Sequence, residues 1–394
     1  MTREVVFVGA ARTAIGSFGG SLKDVPPADL GALVIKTALE RAGVAPKEVG
    51  HVVVGHVIPS VPQDAYISRV AALNAGVPQE APAFNVNRLC GSGLQAIVSA
   101  AQAIQLGDCD VAVGAGAESM SRGAYLSTSN RWGARMGDVK MLDYMLGALH
   151  DPRLHIHMGI TAENVAARYE ISREQQDAYA TQSQQRAAAA IEAGVFKEQI
   201  VPVEIKTRKG VVLFDTDEGV KADTTADALG KMKPAFKKEE GTVTAGNAST
   251  LNDGAGAVVM ASAEKAKALG LKPLARLVSY AHAGVEPEYM GIGPVPASKL
   301  ALEKAGLKVS DLDLIEANEA FAAQACAVSK EMGFPNDKTN PNGSGISLGH
   351  PVGATGAILV TKAIYELQRT GGRYALITMC IGGGQGIAMV IERV

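Results

Sequence analysis

Ala38-Leu39-Glu40-Arg41-Ala42-Gly43-Val44 returns, almost residue for residue, as Ala301-Leu302-Glu303-Lys304-Ala305-Gly306-Leu307, a displacement of 263 positions (301 − 38). The same displacement carries Ser92-Gly93 onto Thr355-Gly356. Two segments on one register are hard to obtain by chance, so the chain is read as an internal duplication. Around each copy runs one order of signals: helix, strand, a turn of small residues, a long helix and a further strand. The order spans Leu30 to Gly116 and again Leu300 to Ile381. Alternating helical and strand patterns of this kind predict a duplicated α/β domain. The expected boundaries are 1–271 for the first half, with an inserted segment at 122–249, and 272–394 for the second.

The turns before the two long helices carry the reactive groups. Cys90 lies in Asn87-Arg88-Leu89-Cys90-Gly91-Ser92-Gly93, just before the helix-spaced run Leu94, Ile97, Val98, Ala101, Ile104. Free amides and the positive end of a helix dipole favour thiolate there, and small neighbours admit a substrate carbonyl. The alternative is a cysteine that packs as a small hydrophobe. Packing alone does not explain why a helix should open with Gly-Ser-Gly.

Cys380 follows the strand-like run Tyr374 to Thr378 and precedes Ile381-Gly382-Gly383-Gly384-Gln385-Gly386. A nucleotide loop is excluded, because Ile387 to Ile391 is another short strand, leaving no helix to hold a pyrophosphate. The glycines instead bring amides close to a reacting oxygen. Between the cysteines, Gly349-His350-Pro351-Val352-Gly353-Ala354-Thr355-Gly356 sets a histidine before the second long helix. A lone histidine is usually a satisfied core or surface residue, but one among small residues is a candidate general base.

The chain has 394 residues, 47% of them hydrophobic, and a net charge of −2. That is ample for a large core and gives no general pull towards nucleic acid or anionic membrane. No apolar run reaches membrane-spanning length, and the start reads as a strand rather than a signal peptide. Four cysteines without a CxxC pair make neither a disulfide framework nor a zinc site. A reduced, cytoplasmic protein without metal is expected, with Cys109 and Cys326 structural. The inserted segment holds the only tryptophan, Trp132, and a helical pair from Thr161 to Gly194 with a capping box at Ser172 to Gln175. It is expected to cover the active site. Its Lys231 to Lys238 stretch suits a phosphorylated, adenine-bearing ligand or, equally, a solvated charged turn.

With the Cys90 block, Asn318-Glu319-Ala320-Phe321, Gly349-His350-Pro351 and Cys380-Ile381-Gly382-Gly383-Gly384 together, the chain resembles the thiolases over essentially its whole length. It is most similar to the bacterial acetyl-CoA acetyltransferases and broad-specificity β-ketothiolases. The resemblance implies the thiolase fold, two similar halves in five layers, α/β/α/β/α, with an inserted loop domain. It also implies a homotetramer whose dimers meet through Ser121 to about Asp143. The implied reaction is the reversible Claisen condensation of two acyl-CoA molecules to 3-ketoacyl-CoA and free coenzyme A, with coenzyme A as substrate and no further cofactor. The alternative is a degradative 3-ketoacyl-CoA thiolase acting on longer chains.

The same resemblance implies roles. Cys90 would take the acyl group and His350 its proton. Cys380 would remove the α-proton of the second acetyl-CoA. Asn318 would hold a water that, with His350, stabilises the enolate oxygen, and the amides of Cys90 and Gly382 would bind the thioester oxygen. For coenzyme A the matching positions are Leu149, His157, Met158, Ala235, Phe236, Ala245, Ser249, Met290, Ala320 and Phe321. Departures from the family pattern fall at Lys221, Ala228, Thr250 and Asn342-Gly343-Ser344-Gly345. A ketoacyl synthase would present a histidine in place of Cys380, a non-catalytic lipid-binding relative would have lost Cys90 or His350, and a cysteine hydrolase would have no use for Cys380.

Overall fold

A computed structural model of the chain describes residues 3–394. The first half runs β1 (Val5–Arg12), α1 (Pro27–Ala42), β2 (His51–Gly55), α2 (Ile67–Asn74), β3 (Ala83–Val86), α3 (Ser92–Leu106) and β4 (Val111–Ser119). An inserted segment with helices α4 (Met158–Arg168) and α5 (Arg173–Glu192) then separates β4 from β5 (Asn252–Ser262). The second half comprises β6 (Ala275–Gly284), α6 (Pro294–Ala305), β7 (Leu314–Ala317), α7 (Ala322–Met332), α8 (Thr355–Thr370), β8 (Tyr374–Ile381) and β9 (Gln385–Arg393). The displacement found in the sequence holds in space: α3 and α8 start 263 residues apart, as do β4 and β8. Helices α1 and α6 each stop at the repeated glycine, Gly43 or Gly306, in the left-handed conformation that residues with a Cβ rarely adopt.

The strands form one sheet in the order β7-β8-β9-β6-β1-β5-β4-β2-β3, with a short tenth strand, Gly16–Ser17, on β5. Each side of the β6–β1 junction repeats the other in mirror order. Two separate sheets are expected from five layers; here they join edge to edge, because Val6 and Phe7 pair with Arg276 and Ala275. Residues alternate between the faces of β5, Ala257 and Val259 packing with α1, Val258 and Met260 with the central helices α3 and α8. Helix α6 covers the other outer face through Val295, Ala297 and Ala301. Burying each large aliphatic side chain in these layers contributes roughly 1.5–3 kcal/mol.

The repeated Ser-Gly and Thr-Gly pairs are the contact between the central helices. A Cβ on Gly93 would come within 2.8 Å of the Ala357 amide, and one on Gly356 would collide with the Leu94 amide. Backbones therefore touch where α3 and α8 begin. The turns before them, which carry Cys90 and His350, are brought together by the same contact.

The inserted segment is pinned to the first half by a fully buried ion pair, Arg12 Nη1 to Asp217 Oδ1 at 2.8 Å and Nη2 to Oδ2 at 3.0 Å. The Ser172 capping box is formed, with the Ser172 hydroxyl accepting from the Gln175 amide and the Gln175 side chain from the Ser172 amide. From residue 121 to 146 the chain instead projects as a short hairpin, Tyr125–Leu126 against Leu142–Asp143. Trp132 is 86% and Met136 96% exposed on it, beside exposed Tyr125, Met141 and Leu142. Among the described residues no helix is long and apolar enough to cross a membrane, and no His, Cys, Asp and Glu cluster could hold a metal ion.

Candidate active site

Between β3 and α3 the chain turns sharply, with Leu89 at φ 46°, a strained position for a branched side chain. Ser92 holds the turn: its hydroxyl accepts from the Arg88 amide at 2.8 Å and donates to the Leu89 carbonyl at 2.7 Å. Asn87 Oδ1 adds a bond from the Leu89 amide. Cys90 follows at once, as a partly buried free thiol. The helix start does not lower its pKa as expected. Burial pushes it up to about 11, the amides of Gly382 and Cys90 itself offset part of this, and the Glu118 charge adds to it. These amides do not outweigh removal of a thiolate from water, so Cys90 rests as a thiol and needs a base.

Cys380 is the last but one residue of β8 and is fully buried. Burial, and then the neighbouring Cys90, raises its pKa far above the ordinary thiol value. The following residues lie against the Cys90 turn: a Cβ on Gly91 would meet Ile381 at 2.5 Å and one on Gly382 would meet Leu89 at 3.1 Å. This close approach explains why small residues occupy both turns.

His350 is buried and carries the base. Its Nδ1 lies 2.7 Å from Thr355 Oγ1, and the Thr355 hydroxyl donates its single proton to the Pro351 carbonyl at 3.0 Å. The hydroxyl must then accept from Nδ1–H, an assignment that makes Nε2 the lone-pair nitrogen. Burial lowers the pKa to about 4, so the imidazole is neutral. The Asn318 side-chain nitrogen faces Nε2 at 3.4 Å. Behind the ring, the Thr250 hydroxyl donates to Asn252 Oδ1 at 2.9 Å, and the same oxygen accepts from the His350 amide at 2.8 Å.

Cys90 and His350 open into one cavity of about 450 Å³, and every coenzyme A position named from the sequence lines it. Cys380 sits just behind that wall, packed with Met158, Met290, Ala320 and Phe321. The sequence reading missed Phe18, Met120, Met145, Leu146, Thr244, Ala248, Leu251 and Val352, which with Thr250 complete the lining. His157 stacks on Phe236 with centroids 4.8 Å apart, and Phe236 meets Phe321 edge-on at 6.2 Å. In the Lys231 to Lys238 stretch the lysines are exposed, while Met232, Pro234 and Phe236 turn inward. A larger open cleft of about 940 Å³, lined by Glu163, Glu170, Lys237, Lys238, Glu239 and Glu240 among others, holds none of the reactive groups.

One buried pair had no signal in the sequence beyond two polar letters amid small and apolar ones. The Glu118 carboxylate accepts from the amides of Val57 and Ile58 at 3.1 Å and of Gly353, in the His350 turn, at 2.8 Å. His56 Nδ1 is 3.1 Å from the same carboxylate. Burial opposes the charge on His56, but Glu118, the Ala117 carbonyl and Asp64 outweigh it and raise the pKa to about 9. A Cβ on Gly353 would strike Glu118 Oε2 at 2.6 Å, so only glycine lets the His350 turn close onto this pair.

Comparison with known proteins agrees with this geometry. Residues 5–264 match the thiolase N-terminal domain and 271–393 the thiolase C-terminal domain. The chain is 68% identical to beta-ketothiolase BktB of Cupriavidus necator over 394 residues, all of both chains. It is 53% identical to acetyl-CoA acetyltransferase of Chromobacterium violaceum over 392 residues, 99% of this chain and 100% of that one. Human mitochondrial 3-ketoacyl-CoA thiolase, solved in complex with CoA, superposes with a TM-score of 0.96 at 45% identity, covering 100% of this chain and 98% of that one. Matched by both domain models and similar to these proteins along its full length, the chain belongs to the thiolase family.

Proposed function

We propose that the protein is a β-ketothiolase, an acetyl-CoA C-acetyltransferase that joins two short acyl-CoA molecules into a 3-ketoacyl-CoA and free coenzyme A, and reverses the reaction. The observation that carries this is the meeting of two thiols and one neutral imidazole at a single apolar cavity. A hydrolase needs one thiol; a carbon–carbon bond made through an acyl-enzyme needs a nucleophile and a separate base for the α-proton.

His350 Nε2 takes the Cys90 proton as the sulfur attacks the first thioester, and returns it to the departing coenzyme A thiolate. The amides of Cys90 and Gly382 bind the oxyanion; removing one such donor typically costs roughly 3–4 kcal/mol. Cys380 then gives its proton to His350 and, as thiolate, removes the α-proton of acetyl-CoA, the enolate oxygen being held by the His350 Nε2–H and by water on Asn318. The carbanion attacks the acyl-Cys90 thioester, and the Cys90 thiolate leaves and recovers a proton from His350.

Coenzyme A enters as substrate, with no metal or further cofactor, in a cytoplasmic homotetramer whose dimers meet through the exposed apolar hairpin from Ser121 to about Asp143. Short 3-ketoacyl chains of about four to six carbons are accepted, because Met290 and Met158, which line the cavity and pack with Cys380, are unbranched and can shift. Loss of the enolate absorbance of acetoacetyl-CoA on adding free coenzyme A tests the reading. No thiolysis of acetoacetyl-CoA or of 3-ketovaleryl-CoA would overturn it.

A further inference from the structure

Behind the site lies a buried charge that the reaction as described does not use. Lys362 on α8 is 2% exposed at its side chain, and Glu316 at the end of β7 is fully buried. The ammonium donates to Glu316 Oε2 and to the Gly343 carbonyl, each at 2.7 Å. An ammonium has three protons, so one remains. Lys362 lies seven residues, two helical turns, after Thr355, on the same face of α8. The face whose first residue orients His350 therefore also presents Lys362.

Between them is an internal space of about 10 Å³, lined by Asn318, Ser344, Gly345, Thr355, Ile358 and Lys362 among others. It is the size of about one water molecule. Asn318 has its nitrogen towards His350, while its oxygen is buried without a protein partner. That oxygen faces Gly345, where a Cβ would come within 2.8 Å of it, and Gly345 borders the space.

Resting on the thiolase reading above, we propose that Lys362 is a positioning residue for the enolate step, holding the Asn318 carbonyl through one ordered water so that the Asn318 amide protons face the substrate. Without this tether the two ends of the amide are nearly isosteric, and the side chain can turn its carbonyl to His350 Nε2 and to the water that holds the enolate oxygen, where the amide N–H groups are then lost. Glu316 is the counter-charge that lets an ammonium reside there, so replacing both together by neutral groups of similar size leaves no unpaired buried charge.

The test compares two steps in the full-length enzyme: acylation of Cys90 by labelled acetyl-CoA, which does not use Asn318, and exchange of the acetyl methyl protons in heavy water, which does. In the double variant Glu316→Gln/Lys362→Met, exchange falls about 10- to 100-fold while acylation stays within about threefold of the parent. Equal losses in both steps would reduce the pair to a structural role, and undiminished exchange would remove it from the mechanism; either overturns the proposal. Asn318→Ala separates this from the wider reading: exchange lost there but retained in the double variant refutes Lys362 alone, whereas exchange unaffected by Asn318→Ala refutes the site assignment too. Should the double variant not fold, a high-resolution crystal structure of the parent decides. It should show a water within about 3.2 Å of both Lys362 Nζ and Asn318 Oδ1, and no water there overturns the proposal.

Discussion

Thr355→Val isolates the hydrogen bond that makes His350 a base. Valine keeps the branching and nearly the volume of threonine, so the start of α8 and its contact with α3 are preserved, and the hydroxyl alone is lost. In the parent, Nδ1–H donates to that hydroxyl at 2.7 Å and the hydroxyl donates onward to Pro351. In the variant the buried Nδ1–H has no partner, a penalty of about 1–3 kcal/mol. The ring has two ways out, and each slows acylation: it keeps the tautomer, and the imidazolium formed as Cys90 attacks lacks the acceptor it needs more than the neutral ring does, or it moves the proton to Nε2 and ceases to be a base. At 1.4 kcal/mol per factor of ten, kcat/KM for acylation should fall about 5- to 150-fold. The fall should lie in kcat, because Thr355 does not line the coenzyme A cavity. Single-turnover transfer from labelled acetyl-CoA measures it, and Thr355→Ser should recover most of the loss. A Thr355→Val enzyme acylated within about twofold of the parent, or one impaired only in KM, would refute this account of how His350 is held.

Cys380→Ser should acylate normally yet lose methyl-proton exchange by orders of magnitude, since an alkoxide is far harder to form than a thiolate in a buried site; near-normal exchange would pass the base role to His350. Stability should fall as pH rises from 6.5 through about 9, because the His56 pKa is raised from 6.5 to about 9 and the folded state gains only while His56 is protonated. Thermal unfolding of the parent and of His56→Gln checks this, and the same slope in both would contradict it. Thiolysis of 3-ketovaleryl-CoA should stand within about a thousandfold of acetoacetyl-CoA, as one methylene in an apolar pocket is worth only about 1–3 kcal/mol; a wider gap means a closed pocket.

The duplication was legible because its markers do structural work at two places each: Gly43 and Gly306 end equivalent helices, and Gly93 and Gly356 let the central helices touch. Cys90, His350 and Cys380 stood out for a related reason, since reactive side chains set among small residues leave few structural explanations. The bonds that tune them were not legible. Thr355, Asn252, Glu118 and Lys362 read as ordinary helix and strand residues, and their importance comes from partners about 5 to 235 positions away in the chain. The ionisation of Cys90 was misjudged on the same ground: the helix start is visible in sequence, but the degree of burial that outweighs it is a property of the assembled halves.

The central claim is that Cys90 carries the acyl group while Cys380 handles the proton. Brief incubation with labelled acetyl-CoA, acid quench and peptide mapping tests it directly, with Cys90→Ala alongside. The label should reside on the peptide containing Cys90 and vanish in the variant. Label on Cys380 or Cys109, or full labelling of Cys90→Ala, would contradict the account.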